Sequence, residues 1–299
     1  MVTAESKSLV QVNDRVTQPG RPARSPALRR LRRNRAAVGG LVVFCLIVVM
    51  AVAAPIIAPF NPTRVNPIDA LQPPSAWYWM GTDAFGRDTL SRVIWGSQTS
   101  VQIGFVAVTI SVVGGAILGL FSGYHRGWID LLVMRLTDVM LAFPGILLAL
   151  VIIAVLGRNL TSAMIAVGIS AMPAYIRVVR SSVLSVRGNE YVIAAQVIGC
   201  SSNRILLRHI LPNVIAPVIV LATLGIPSAI IAGASLSFLG LGVQPPTADW
   251  GEMLSSGRNQ FALAPWLSIF PGLAIVITVL SINLFGDGLR DALDPRQQR

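Results

Sequence analysis

The chain has 299 residues, of which 54% are hydrophobic and 12% charged, against roughly 25% charged in an ordinary soluble domain. That balance excludes a globule surrounded by water and points to lipid as the solvent. The net charge of +11 needs no nucleic acid as partner, because retention of Arg and Lys on one membrane side and attraction to anionic headgroups account for it.

Six apolar stretches have the length of about 20 residues needed to cross a hydrocarbon core. They lie near 38–59, 100–121, 132–156, 161–180, 214–240 and 263–286. Backbone polar groups cannot stay unpaired in lipid, and these runs are too long and continuous for alternating barrel strands. The expected fold class is therefore an all-α membrane protein with six transmembrane helices.

Residues 1–36 read as a disordered, basic tail, rich in arginine with Pro and Ser, which also has the composition of a transit peptide. An export signal cleaved after Ala51-Val52-Ala53 is a rival. The apolar run continues past that point to Phe60, so residues 37–60 are read as a first transmembrane helix.

Residues 61–99 form an expected extracytoplasmic segment. Within it, Gly81-Thr-Asp83-Ala-Phe-Gly86-Arg87-Asp88-Thr-Leu-Ser91-Arg92 has the small and charged residues of a folded turn, leading into an amphipathic helix at the interface through Trp95. Asp83, Arg87 and Asp88 either pair with one another or meet a partner.

Residues 100–286 are read as a five-helix core. Gly115, Gly119 and Gly123 recur at spacing four, placing them on one helix face where a neighbour can come close. Pro144, Pro173, Pro217, Pro227 and Pro271 lie inside spans, and each removes a ladder hydrogen bond and invites a kink or break. Asp138 is the ionisable group deepest in a span, with Arg135 one turn earlier as its expected partner. A proton or ion relay needs more than one such group, so a stand-alone secondary carrier or channel is the weaker alternative.

Between the fourth and fifth spans lies a loop over 181–213. Its 23 residues from Glu190 to Pro212 read as helix, glycine turn, helix. Tyr191, Ala194, Ala195 and Ile198 fall on one face, and Gly199 interrupts the helix. Ser202 or Asn203 caps the second helix, and Pro212 ends it. In that second helix Ile205, Leu206, His209 and Ile210 make an apolar stripe, with Arg204 and Arg208 opposite. The glycine corner makes the pair protrude, a shape suited to docking into another protein.

The last outer loop, Gly240 to Gly251, has turn chemistry, and Trp250 suits an anchor at headgroup level. Residues 287–299 form a polar C-terminal tail. With both termini inside, the outer segments hold only Arg64, Arg87, Arg92, Arg158 and Arg258 of the 24 basic residues, and the reverse orientation breaks the positive-inside rule.

Chemistry is sparse. The single lysine, Lys7, leaves no Gly-rich loop ending in Gly-Lys-Ser/Thr to hold nucleotide phosphates. There is no His-Glu-x-x-His pair and no Gly-x-Ser-x-Gly elbow, and the two histidines, His125 and His209, lie on the inner side. Cys45 and Cys200 are too few for an outer disulfide framework, and no metal site is expected. The chain is not an enzyme by these criteria, so energy for uphill transport must arrive from outside it.

These residues resemble the permease subunits of binding-protein-dependent ATP-binding-cassette importers, in the dipeptide, oligopeptide and nickel branch, over roughly residues 36–297. Ile193-Ala194-Ala195, Gly199 and Ile210-Leu211-Pro212 are similar to the family's inner-loop signature, with Ile where the family has Glu. The Gly81–Asp88 stretch, Phe238-Leu-Gly-Leu-Gly-Val-Gln-Pro-Pro246, Asp249-Trp-Gly-Glu-Met-Leu254 and Asp287-Gly-Leu-Arg-Asp-Ala-Leu-Asp-Pro-Arg296 also look like this branch, while Gln98 stands where a basic residue is expected.

The resemblance implies a peptide-importer subunit in the inner membrane of a prokaryote, with a nickel or other small-solute permease as the nearest alternative. It implies a second permease chain, two ATPase subunits that bind the ATP and Mg, and an extracytoplasmic binding protein. It places ATPase docking on Glu190, Ala194, Ala195, Gly199, Arg204, Arg208, Ile210, Leu211 and Pro212. Asp83, Arg87, Asp88 and Trp250 are the candidate outer contacts.

Overall fold

The computed structural model describes residues 31–293. The expected tail over 1–30 and the end of the C-terminal tail lie outside the described residues. Nine helices organise what is described: α1 Arg35–Val52, α2 Thr89–His125, α3 Gly127–Leu141, α4 Gly145–Leu156, α5 Leu160–Arg187, α6 Glu190–Val197, α7 running through residues 202–238, α8 Trp250–Arg258 and α9 Trp266–Leu293. A single turn, Ala54–Ile57, follows α1.

Five of these helices are long and apolar enough to cross a membrane, and a sixth crossing exists only if α3 and α4 count as one broken span. The span expected over 132–156 is thus sharply bent, at one of the prolines expected to kink or break a span. α3 and α4 meet at 97° around Pro144, which has no N–H to donate and whose ring disfavours helical geometry at Phe143. The other span prolines, Pro173, Pro217, Pro227 and Pro271, lie inside helices that continue through them. Of these five span prolines, only Pro144 stands at a break.

The second span is longer than expected. The run taken for a separate interfacial helix before residue 100 is the first three turns of α2, started by Asp88, whose Oδ2 accepts the Ser91 amide at 2.8 Å. At 1.5 Å per residue its 37 residues span about 55 Å, well beyond a hydrocarbon core of about 30 Å.

The α2–α5 pair forms the spine of the bundle. A Cβ placed on Gly119 would lie 2.7 Å from Val179 Cβ and 2.8 Å from the Ile176 carbonyl, and Gly123 meets Val183 in the same way. Gly168 returns the contact from α5, fitting against Ile110 and the Ala107 carbonyl. The glycine face expected from sequence is a helix–helix contact. A mid-bundle core of Val108, Ile153, Val167 and Leu236 joins α2, α4, α5 and α7.

Asp138 does not pair with Arg135. Its Oδ1 accepts from Arg177 Nη2 on α5 at 2.7 Å, and that pair is exposed. An i,i+3 partner on the same helix loses here to a cation on the neighbouring one.

Candidate functional site

Two constructions at opposite ends of α2 hold the candidate site residues. The first is the corner between α5 and α7. After Arg187 the chain turns at Gly188, and α6 begins at Glu190. Gly199 has φ +79° with nothing within 4 Å of where a Cβ would stand. Its amide donates to the Gln196 carbonyl at 3.0 Å, and the Cys200 amide donates to Ala195, also at 3.0 Å. This paired arrangement is a Schellman ending, which needs a left-handed residue and so favours glycine.

Two details of the second helix differ from expectation. Ser201 occupies the N-cap position and its side chain makes no capping bond, so neither Ser202, which is the first helical residue, nor Asn203 caps the helix. Pro212 does not end it. It stands in the first turn of the segment that continues to Phe238, where its missing N–H costs little because the π-helical turn over Leu206–Ile210 has already shifted the ladder.

The corner is welded to the bundle. Val192 and Ala195 of α6 and Ile205, Leu206 and Ile210 of α7 are buried with Val179 and Val183 of α5 and Tyr124 at the end of α2. Asn213 Nδ2 donates to the Tyr191 hydroxyl at 3.1 Å and to the His209 carbonyl at 2.7 Å, tying α6 to α7. The guanidinium of Arg187 lies 5.5 Å from the Tyr124 ring centre.

Among the docking candidates, Glu190, Ala194, Gly199, Arg204, Arg208 and Pro212 are exposed, Leu211 is half-buried, and Ala195 and Ile210 are buried. The last two therefore position the corner instead of forming its surface. The expected apolar face of α6 is also corrected: Val192 and Ala195 point inward. Tyr191, Ile193, Val197 and Ile198 are left outside, Val197 81% and Ile198 78% exposed. With Arg204 and Arg208 exposed on the helix that follows, the corner combines exposed apolar and basic side chains, an unusual composition for a surface that stays in water.

The second construction lies at the other end of α2. Asp83 folds its own loop: Oδ1 accepts the Phe85 and Arg87 amides at 2.8 and 3.0 Å, and Oδ2 accepts from Arg87 Nε at 2.6 Å. Asp88 is engaged as the α2 cap. Self-pairing, one of the two expected alternatives, describes the Asp83–Arg87 geometry, and Arg87 and Asp88 are buried.

Arg92, one turn into α2 and 2% exposed, donates through Nη2 to Glu252 Oε2 at 2.8 Å and through Nη1 to the carbonyls of Pro62 and Pro246 at 3.3 and 3.4 Å. Four separate stretches of chain meet at this guanidinium. Sequence reading singled out neither Arg92 nor Glu252 as a site. The available signal was that Arg92 is the one arginine of the long helix α2 and Glu252 the one acid of α8.

Trp250 is not a headgroup anchor. It is fully buried, its Nε1 donating to the Val93 carbonyl at 2.9 Å and its ring lying over Gly96, which has no Cβ to push it away. Asp249 holds it there by capping α8. Its Oδ2 accepts the Gly251 and Glu252 amides at 3.1 and 3.2 Å, and its Oδ1 accepts from Ser100 at 3.0 Å. Burial pushes the Asp249 carboxyl above the usual 3.8, while hydrogen bonds from Ser237, Ser100 and the backbone pull the other way.

Residues 115–299 match the family model described as "Binding-protein-dependent transport system inner membrane component". This chain belongs to that family. Residues 25–74 also match the N-terminal transmembrane domain of oligopeptide transport permease C.

The chain is 47% identical over 272 residues to a dipeptide transport system permease protein of Alkalihalophilus pseudofirmus, covering 91% of this chain and 90% of that one. It is 46% identical to a di/tripeptide transport permease of Pseudomonas aeruginosa, with 88% and 89% covered. The same identity holds for a glutathione transport permease of Escherichia coli, with 90% and 89% covered. Among solved structures, an inward-facing MetNI methionine transporter chain aligns with a TM-score of 0.55 at 18% identity, over 68% of this chain and 96% of that one. That likeness places the fold among importer permeases.

Proposed function

We propose that this chain is one of two membrane subunits of an ATP-driven importer for short peptides delivered by an extracytoplasmic binding protein. One observation carries the reading: identity of 46–47% along nearly the whole chain with permeases named for dipeptides, di/tripeptides and glutathione. All three names denote small molecules with a peptide backbone. None of them supports the nickel version of the machine.

ATP and Mg are then bound by two partner ATPase subunits, because the chain's single lysine, Lys7, cannot complete a phosphate-binding loop. The ATPase docks on the corner around Gly199, taking the apolar tip of Val197 and Ile198 into a groove and meeting Arg204 and Arg208 with acidic groups. Since Val192, Ile205 and Ile210 join the corner to the ends of α2 and α5, a displacement of α6 carries those helices with it. Alternating access follows as rocking of the bundle between two openings. The corner end faces the cytoplasm in this reading, supported by Arg126, Arg187, Arg204 and Arg208 around it.

The test is Gly199→Asp in the full importer. It adds a charge at the tip and a side chain where φ is +79°. The expected result is normal membrane insertion with loss of labelled-dipeptide uptake and of ATPase co-purification. Full uptake by this variant removes the docking assignment.

A further inference from the structure

The stretch from Leu71 to Met80, Leu-Gln-Pro-Pro-Ser-Ala-Trp-Tyr-Trp-Met, carries no charged residue. It projects two tryptophans from the surface: Trp77 is 82% exposed and Trp79 72%. Neither ring is used by the Arg92 network. Large aromatic side chains left outside a fold in an uncharged segment call for a covering medium.

The turn satisfies several of its own polar groups. The Ser75 amide donates to the Tyr78 carbonyl at 2.8 Å, and the Tyr78 amide donates back to Ser75 Oγ at 3.1 Å. Trp79 Nε1 donates to the Ala76 carbonyl at 3.2 Å, and the Tyr78 hydroxyl donates to Asp69 at 2.8 Å. A turn with these groups paired leaves fewer to be met by water and headgroups, which suits the headgroup level and not the hydrocarbon core.

Its position fixes the depth. Met80 lines an apolar groove of about 270 Å3 between α1 and α9, with Ile47, Met50, Phe270 and Leu273. Just beyond, the Thr82 carbonyl accepts from Nε1 of Trp266, the first residue of α9, at 3.2 Å. The end of the turn therefore stands beside the C-terminal part of α1 and the N-terminal part of α9, two helices long and apolar enough to cross a membrane. Amphipathic aromatic rings concentrate where such helices meet the membrane surface.

We infer that the Pro73–Met80 turn lies in the headgroup-to-acyl boundary of the bilayer, with Trp77 and Trp79 inserted as an interfacial anchor. The occupant of this surface is lipid, and no protein partner covers it. The anchor holds the 61–88 segment, and with it the first turn of α2, at a set height on the membrane.

Intrinsic fluorescence of the assembled importer in nanodiscs tests this, using lipids brominated near the headgroup or at the acyl end, and acrylamide from the water side. The difference in emission between the wild type and Trp77→Phe/Trp79→Phe isolates these two of the six tryptophans. Loss of that difference emission is expected with shallow bromine, more than with deep bromine, together with shielding from acrylamide. Quenching by acrylamide without an effect of bromine places the turn in water and overturns the inference. Shielding from both quenchers means that a protein covers it, and overturns it equally. Trp77→Phe alone keeps the Trp79–Ala76 bond and decides the same question if the double variant does not assemble.

Discussion

Arg92 and Glu252 stand 160 positions apart in the chain and meet at 2.8 Å with both side chains almost fully buried. The pair joins the start of α2 to α8, the short helix in the connection between α7 and α9. Among the described residues it is the ion pair between the positions farthest apart in sequence.

Removing one partner leaves the other charge buried, which typically costs about 3–5 kcal/mol. Glu252→Ala is expected near the lower end of that range, because Asp83 Oδ2 still stands 3.6 Å from Arg92 Nε. A melting curve of the detergent-extracted protein reads the loss. The double variant Arg92→Met/Glu252→Leu should recover most of it, and equal destabilisation in both would count against a buried-charge origin.

Gly119→Ala should destabilise the bundle by about 1–3 kcal/mol, the usual cost of overpacking, because its Cβ would fall 2.7 Å from Val179 Cβ. Gly39 on α1 is the control, with nothing within 4 Å of its Cβ position. Gly39→Ala is expected to be neutral or to gain up to about 1 kcal/mol from helix propensity. Thermal melts of the two variants side by side settle the comparison.

Val197→Asp/Ile198→Asp changes only exposed side chains, so its stability should stay within about 0.5 kcal/mol of wild type. Recovery of the ATPase in a pull-down of the tagged chain should nevertheless fall to background. A drop in melting temperature with the ATPase still bound would reverse the assignment of these residues from docking to packing.

The Asp249 carboxyl binds its proton more tightly in the folded chain than in the unfolded one, through burial. A raised carboxyl pKa contributes stability that is complete below the unfolded value near 3.8 and is lost as pH rises through the folded value. Asp249→Asn has no such titration. The wild type's melting temperature relative to this variant should therefore fall as pH increases from below 3.8, and a flat difference across that window would refute the shift.

The spans were legible because apolar length is a local property of the chain, and α1, α5, α7 and α9 fall where those runs lie. The left-handed turn at Gly199 was legible for the same reason, since a glycine closing an amphipathic run carries its own geometry. Trp250 was misread because its surroundings are not local: only the approach of Gly96, on a different helix, opens room for the indole. Val192 replaced Ile198 on the buried face of α6 because the ends of α2 and α5 decide which side of that short helix is covered.

By itself, the sequence determined an all-helical chain built for lipid, the position of most of its spans, the glycine contact face and the glycine turn at residue 199. Each of these follows from composition or from spacing within one or two helical turns. Only the tertiary structure decided that Pro144 alone breaks its span, that Asp138 pairs with Arg177, and that Arg92 finds Glu252. Those outcomes depend on which helices pack side by side, and a buried charge or a freed carbonyl is satisfied by whatever group that packing brings within about 3 Å.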